Sequence, residues 1–201
     1  MAFYKYLGPN GEAIYGRGKW ELPTKGHPGK WMPIIANPVL CARGYHVCEE
    51  KDLLLWIRPD CWLVEVRGPE IKGDNKSVFR EGRLFRKTSL DRAALHLFAA
   101  DCAERALKFI KDAKRRNTVS NTLLVVRAFA FGLATDADLR SARAAAWAAA
   151  AAADAAAVRA RVRVDEKDWQ IHRLIAYIHG RVDLEVLKVC IEKKFNQLKG
   201  K

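Results

Sequence analysis

The chain has 201 residues, half of them hydrophobic, which is enough to bury a core in one large domain or two small ones. This composition argues against disorder of the whole chain. Lysine and arginine number 36 against 23 aspartate and glutamate residues, which gives a formal net charge of +13. Such an excess of positive charge favours an acidic partner.

The first seven residues lack the charged and apolar regions of a signal peptide. The longest apolar run, 144–158, is nearly all alanine and contains Asp154, so it is too weakly hydrophobic to span a bilayer of about 30 Å. The five cysteines are odd in number and scattered, a pattern typical of reduced thiols. We therefore expect a soluble, intracellular protein without a membrane segment.

The first part of the chain, residues 1–88, shows short strand patterns separated by turn residues. Asn10 and Gly11 favour a tight turn between two strands, because both residues tolerate positive φ angles. A stretch rich in glycine and proline follows. The predicted strands are 3–7, 12–15, 61–68 and 82–87, and 53–56 is predicted to be a short helix.

From residue 88 the apolar positions recur with the period of a helix, and Ser89 is a suitable N-cap. The first helix is predicted to bury one stripe of side chains: Leu95, Phe98, Cys102, Ala106 and Phe109. A second helix is predicted at 121–131, a third begins at a capping box of Thr135 and Asp138, and two more cover 166–179 and 184–198.

The third helix contains the alanine-rich run. Alanine is the best helix former, and its small side chain allows neighbouring helices to approach closely. We therefore predict a central packing helix in which Trp147 is buried; a disordered linker is the alternative. The fold class is α+β: a small mixed, strand-rich N-terminal domain at residues 1–88, followed by an all-α helical bundle at residues 89–201.

Residues of the types that bind zinc occur at Cys41, His46, Cys48 and Cys61. Their spacing matches no standard zinc motif, and buried thiols beside a hydrogen-bonded histidine explain them as well. We predict no metal site and no cofactor. The sequence also lacks the common phosphate-binding loops, metalloprotease motifs and nucleophile motifs. This lowers the expectation of an enzyme.

An acidic and basic pattern lies on the first predicted helix, where Asp101 with Arg105 and Glu104 with Lys108 have the i,i+4 spacing of ion pairs. Asp101 also shares a face with apolar residues, so we expect it to be partly buried against Arg105 or a cation of a neighbouring helix. A structural role for Asp101 and Arg105 is favoured over a catalytic one.

Two basic clusters are candidates for binding a nucleic acid or another partner, because cations that contact phosphates provide affinity without sequence specificity. The alternative is that each cluster is a solvated helix end, stabilised by the negative end of the helix dipole. The first cluster is Lys108, Lys111, Lys114, Arg115, Arg116 and Arg127, and the second includes Lys193 and Lys194.

The segment Cys41-Ala-Arg-Gly-Tyr-His-Val-Cys48, with the later Val64-Glu65-Val66, resembles a small domain of unknown function from bacteriophage and prophage proteins. That family carries a C-x-x-G-[FY]-H-x-C motif followed by a strand that ends in Glu-Val. The resemblance covers about residues 1–88. It implies a mobile-element origin and a bacterial cytoplasm as the setting.

The element Asp101-Cys-Ala-Glu-Arg105, with the alanine-rich helix after it, resembles the helical immunity proteins of polymorphic toxin systems. The resemblance covers about residues 92–178. That family usually has an acidic turn after this element, whereas 111–116 is basic here. The resemblance implies a helical scaffold that neutralises another macromolecule.

A strand with Gly-Tyr-His-Val, a short helix and a strand with Trp-Leu-Val-Glu-Val are similar to the NAD-binding half of ADP-ribosyltransferases. The resemblance implies that Tyr45 or His46 would orient the nicotinamide end and that Glu65 would complete the site.

Three functional hypotheses follow. The first is a phage or mobile-element accessory protein that inhibits a host defence complex, through a basic surface that engages nucleic acid or a nucleoprotein. The second is an ADP-ribosyltransferase-like enzyme, and the third is an immunity protein that neutralises a toxin. The sequence leaves the oligomeric state open.

Overall fold

The computed structural model describes residues 2–16, 18–150 and 163–200, with the side chains of 146–150 and 163–165 left out. The chain forms two compact units. The first comprises Met1–Asp91 with Leu174–Gly180, and the second comprises Arg92–Arg173 with Arg181–Lys201. The first unit thus includes a segment, Leu174–Gly180, that is distant in sequence from the rest of it.

Two contacts tie this segment to the first unit. The Tyr4 hydroxyl lies 3.2 Å from Nε2 of His179, and the Ser89 N–H donates to the carbonyl of Ile178 at 3.0 Å. Ser89 is not the N-cap that its sequence position suggested. The next helix begins three residues later, at Arg92.

The first unit contains two antiparallel three-stranded sheets and one short helix, α1 (Leu53–Trp56). One sheet has the order β1-β3-β6, and the other has the order β2-β5-β4. The strands are β1 (Phe3–Leu7), β2 (Tyr45–Val47), β3 (Asp60–Arg67), β4 (Ile71–Lys72), β5 (Ser77–Phe79) and β6 (Glu81–Lys87). The predictions of a helix at 53–56 and of strands at 61–68 and 82–87 are confirmed.

The core of this unit receives side chains from both sheets, because alternate residues of each strand face inward. Trp62 and Val64 of β3 pack with Val47 of β2 and Phe79 of β5. Trp20, from the glycine- and proline-rich stretch, joins the same core.

The predicted turn at Asn10 and Gly11 is confirmed, since both residues have positive φ angles of 59° and 82°. The predicted strand at 12–15 is wrong, because only a single bridge joins Leu7 to Ala13. β1 pairs instead with β3, which is distant in sequence. The reason is burial: β3 supplies inward apolar residues, whereas Tyr15 is 71% exposed.

The described part of the second unit contains helices and no strands: α2 (Arg92–Ala106), α3 (Ala113–Ala130), α4 (Asp136–Ala150), α5 (Arg163–Ile178) and α6 (Leu184–Lys199). α5 continues into the segment of the first unit. The capping box at the start of α4 is confirmed: Asp138 accepts from the Thr135 N–H at 2.8 Å. The predicted burial of Trp147 lies outside the side chains that the structure describes.

The buried face of α2 differs from the predicted stripe. It carries Ala94, Leu97, Phe98 and Asp101, which follow the i, i+3, i+4, i+7 spacing. Ala106 and Phe109 are exposed, because α2 ends at Ala106 and the chain continues as a 3-10 turn.

α3 begins eight residues earlier than predicted, because its first turns carry polar side chains without an apolar period. Asp112 is its N-cap, with Oδ1 accepting from the Arg115 N–H at 2.7 Å. The overall class is mixed, with antiparallel sheets in the N-terminal part and helices after them. Within the described residues, no helix has the length and apolar character needed to cross a membrane.

Candidate functional site

Asp101 is the centre of an ion-pair network in the second unit. Its Oδ1 accepts from Nη2 of Arg127 on α3 at 2.8 Å, and its Oδ2 accepts from Nε of Arg173 on α5 at 2.7 Å. Glu104 also accepts from Arg127 at 2.8 Å. Asp101 is therefore buried against cations of neighbouring helices, one of the two expected arrangements. Its i,i+4 partner Arg105 pairs elsewhere.

Arg127 does not belong to an exposed basic surface, which corrects its place among the candidate binding residues. Only 8% of its surface is exposed, so it lies in the interior of the unit. Burial acts to lower the pKa of Arg127, but hydrogen bonds to Asp101 and Glu104 outweigh burial and raise it. Its positive charge is thus paired with the carboxylates of Asp101 and Glu104.

Arg105 extends the network along α5. Its Nε donates to Oε2 of Glu166 at 2.9 Å, and its guanidinium lies 4.2 Å from the centre of the Trp169 ring. This arrangement combines an ion pair with a cation–π contact. Both contacts join α2 to α5 within the second unit.

The basic cluster, defined from here on as Lys108, Lys111, Lys114, Arg115 and Arg116, lies at the end of the 3-10 turn and the start of α3. All of these residues except Arg115 are exposed. The only acidic residue within this stretch, Asp112, is occupied as the N-cap of α3. Arg116 additionally donates to the carbonyl of Ile110 at 3.1 Å.

The position of Lys114, Arg115 and Arg116 removes stabilisation by a helix dipole as the explanation for these three charges. The dipole of a helix favours cations at the C-terminus and anions at the N-terminus, by about 0.3–1 kcal/mol for each charge. Lys114, Arg115 and Arg116 occupy the first turn of α3, which contains no acidic residue. The dipole therefore opposes these charges instead of stabilising them.

Lys193 and Lys194 are exposed on α6. The buried residues beside them, Ile191 and Phe195, pack with Val125 and Ala128 in the second half of α3. These lysines thus belong to a helix that packs on a different part of α3 from the basic cluster.

The motif of the first unit forms a hydrogen-bonded turn. Nε2 of His46 accepts from the Cys41 N–H at 2.8 Å, and Nδ1 lies 3.2 Å from the Gly44 carbonyl, to which it donates. This pattern requires neutral His46. Burial lowers the pKa of His46, and the nearby Lys5 lowers it further. His46 therefore stabilises the turn.

Gly44 is required at its position in this turn. Its φ angle is +119°, and a Cβ atom there would lie 2.6 Å from Cγ2 of Val78. The glycine and histidine of the motif thus have structural explanations.

The cysteines are free thiols: Cys48 and Cys61 are buried, and Cys41 and Cys190 are exposed. Burial raises the pKa of Cys48 and of Cys61 to about 12, so both remain protonated at neutral pH. Among the described residues, no three side chains of the metal-binding types come together.

Glu65, the candidate for NAD chemistry, pairs with Arg83 through a hydrogen bond of 2.6 Å from Nε. His46 and Tyr45 line a cavity in the first unit, but Glu65 is not among the described residues that line it. The structure therefore does not bring the three residues together in one site.

That cavity was not predicted from the sequence. It has a volume of about 800 Å³, within the usual range for small-molecule sites, and is formed by residues between Tyr4 and Lys76. The described lining contains no aspartate or glutamate, and it contains five cations: Lys5, Lys19, Arg43, Arg58 and Lys76. Its aromatic residues include Tyr15, Trp20, Tyr45 and Trp56.

Lys5 is the feature of the sequence that could have indicated this cavity, because it is a charged residue among the apolar residues of the strand 3–7. Its side chain lies on the face of β1 that also carries Phe3 and Leu7, opposite Trp62 in the register. Burial lowers the pKa of Lys5 to about 8, and the positive charge of Lys76 contributes in the same direction.

No protein-family model, curated protein or solved structure matches this chain. The function is therefore inferred from its own residues and their arrangement.

Proposed function

We propose that the protein is a phage or mobile-element accessory protein that inhibits a host defence nucleoprotein complex. In this proposal the helices of the second unit form a bundle that carries the basic cluster, and the cluster binds nucleic acid or the nucleic-acid-binding partner. The observation that carries the proposal is the position of Lys114, Arg115 and Arg116 in the first turn of α3, where the helix dipole opposes them.

The physical argument is a conflict between stability and charge. Natural sequences favour aspartate or glutamate in the first turn of a helix, since these residues stabilise it. A run of cations there costs stability, and Asp112, the only acidic residue within the stretch 108–116, accepts a hydrogen bond from the backbone. A phosphate placed at this end would be attracted both by the cations and by the positive end of the dipole.

Competition with nucleic acid is the proposed mechanism. The cations of the cluster would contact phosphates, either of the free nucleic acid or of the nucleic acid in its complex with a defence protein. Contacts of this kind position the protein without reading sequence. The net charge of +13 would attract the polyanion over a longer distance. The resemblance of residues 41–68 to a phage domain supports the mobile-element setting.

The test is a salt titration of binding to a labelled 20-base-pair DNA duplex and to a labelled RNA of 20 nucleotides. The double variant Lys114→Glu/Arg116→Glu should weaken binding at least tenfold at low salt. Each lost phosphate contact should reduce the slope of log affinity against log salt by about 0.9 for duplex DNA.

The matched control is Lys193→Glu/Lys194→Glu, which makes the same change of net charge on α6. Its affinity should fall less than that of the first variant. Equal losses in the two variants would show that binding does not depend on the basic cluster in particular, and unchanged affinity in the first would remove the basic cluster from the proposal.

The other two hypotheses receive less support from the geometry. Glu65 pairs with Arg83, which does not favour an ADP-ribosyltransferase. For an immunity protein that binds a basic toxin, contact would have to come from acidic residues such as Asp136, Asp138, Asp165 and Glu166. Asp138 is used in the capping box and Glu166 pairs with Arg105, whereas the side chain of Asp165 lies outside the described residues.

A further inference from the structure

The cavity of the first unit has no role in the function proposed above, because its lining lies at residues 4–76 and the basic cluster at 108–116. The inference drawn from it is therefore independent of that proposal. The cavity combines two properties: its described lining has several cations and no carboxylate, and aromatic faces lie within reach of those cations.

Lys5 is the first line of evidence. It shares an inward face with apolar side chains, and its ammonium lies 5.8 Å from the centre of the Trp20 ring. Among the described residues, this ammonium group has no hydrogen-bond acceptor and no ion-pair partner. A charged group in such a position is costly to the fold, and a bound anion would offset that cost.

The electrostatic surroundings of Lys5 point in the same direction. Lys76 adds a second positive charge to the cavity and lowers the pKa of both Lys5 and His46. Cys48, the other group that acts on Lys5, is protonated at neutral pH because burial raises its pKa to about 12. The described lining thus presents positive charge that none of its own residues neutralises.

The aromatic rim is the second line of evidence. Trp56 is held in place by a hydrogen bond of 3.0 Å from Nε1 to the Asn75 carbonyl, and Tyr15 meets it edge to face at 6.2 Å. The ammonium of Lys76 lies 5.0 Å from the centre of the Trp56 ring. A fixed aromatic face beside a cation is suited to a flat ring that carries a negative group.

We propose that this cavity binds a nucleotide, whose phosphate is held by Lys5 and Lys76 and whose base stacks on Trp56. A simple anion would use the cations but not the aromatic rim, and an apolar molecule would leave the cations unpaired. A nucleotide uses both. The nucleotide comes either from the free pool or from a single-stranded nucleic acid, since the recognised chemistry is the same.

The experiment is isothermal titration calorimetry of the full chain at pH 7 with adenosine monophosphate, uridine monophosphate, adenosine, inorganic phosphate and a ten-residue oligothymidine. We expect at least one mononucleotide or the oligonucleotide to bind at least tenfold more tightly than adenosine or phosphate. Mononucleotide binding identifies the free pool as a source, and binding of the oligonucleotide alone identifies a strand if Lys5→Met weakens it.

Three variants test the residues. Lys5→Met should weaken binding of the ligand at least tenfold, and Lys30→Met, an exposed lysine of the same unit outside the cavity lining, should leave it unchanged. Trp56→Leu should weaken it at least fivefold, with thermal denaturation reporting whether it folds. The mononucleotide titrations separate failure here from failure of the basic cluster, because the proposed role of Lys114 and Arg116 concerns binding of a duplex or a strand.

Protonation of Lys5 provides a readout that a structural role would not produce. Nucleotide affinity of the wild type should fall about tenfold between pH 7 and pH 9, because Lys5 loses its charge near pH 8. Lys5→Met should lack that dependence. The proposal is overturned if no probe binds, if adenosine or phosphate alone binds as tightly as the nucleotides, or if Lys5→Met binds like wild type.

Discussion

Nη2 of Arg127 on α3 lies 2.8 Å from Oδ1 of Asp101 on α2, and the two residues are only 8% and 9% exposed. Arg127, which was predicted from the sequence to lie on a binding surface, is thus paired inside the second unit. The two oxygens of Asp101 accept from arginines of two different helices, α3 and α5. This one carboxylate therefore joins three helices.

Removing Arg127 should destabilise the second unit strongly. Arg127→Met leaves Asp101 and Glu104 without this partner, and breaking a buried ion pair costs about 3–5 kcal/mol. Urea denaturation should report a loss of this size. The control Arg116→Met removes an exposed arginine of the same helix and should change the unfolding free energy by about 0.5 kcal/mol or less. Similar values for both variants would contradict the buried network.

Charge reversal in the first turn of α3 should stabilise the fold even as it weakens partner binding. Lys114→Glu and Arg116→Glu exchange cations for anions at the positive end of the dipole, with a gain of about 0.3–1 kcal/mol for each. Thermal denaturation at low salt should show an unchanged or higher midpoint. A marked loss of stability would mean that these side chains are needed for packing, and the binding experiment would then need single variants.

The His46 turn should weaken in acid. The pKa of His46 is lowered in the folded state, so the unfolded state takes up a proton first as the pH falls. Stability should therefore decline as the pH drops below the ordinary histidine pKa of about 6.5. Urea midpoints between pH 7.5 and 5 should fall more steeply for the wild type than for His46→Gln.

That comparison controls for His96, whose pKa is also lowered by burial and which both proteins retain. The reason for the expected difference is that Nε2 of His46 accepts the Cys41 N–H and cannot do so once protonated. Parallel pH profiles for the two proteins would show that the turn does not depend on neutral His46.

Lys5→Met should stabilise the first unit at neutral pH. The pKa of Lys5 falls from 10.5 to about 8 on folding, so below pH 8 the fold bears the full cost of the buried charge. We expect the free energy of unfolding to rise by about 1–3 kcal/mol. The full pKa shift, at about 1.36 kcal/mol for each unit, would give a larger value, but the side chain is partly exposed to solvent, which reduces the effect.

The sign of this effect with pH is a further check. Between pH 8 and 10.5 the unfolded chain binds more protons at Lys5 than the folded chain does, so wild-type stability gains from this residue as the pH rises. The advantage of Lys5→Met over the wild type should therefore shrink by pH 10. A constant advantage would mean that it comes from packing and not from charge.

Much of the secondary structure could be predicted because it depends on local patterns. The strand at β3 follows from alternation, and the start of α4 follows from the capping box of Thr135 and Asp138, which is complete within four residues. The start of α3 was missed because Asp112 caps a polar turn without an apolar period. Ser89 was misassigned because α2 begins only at Arg92, three residues further along the chain.

The sequence by itself determined the change from strands to helices near residue 90 and the excess of positive charge, since both are properties of local composition and periodicity. Only the tertiary structure decided which cations are used internally: Arg127 is neutralised by Asp101, and Lys5 lies in a cavity lining without a carboxylate among the described residues. The physical reason is that burial and ion pairing depend on residues brought together from distant positions, whereas helix and strand preferences depend mainly on neighbours along the chain.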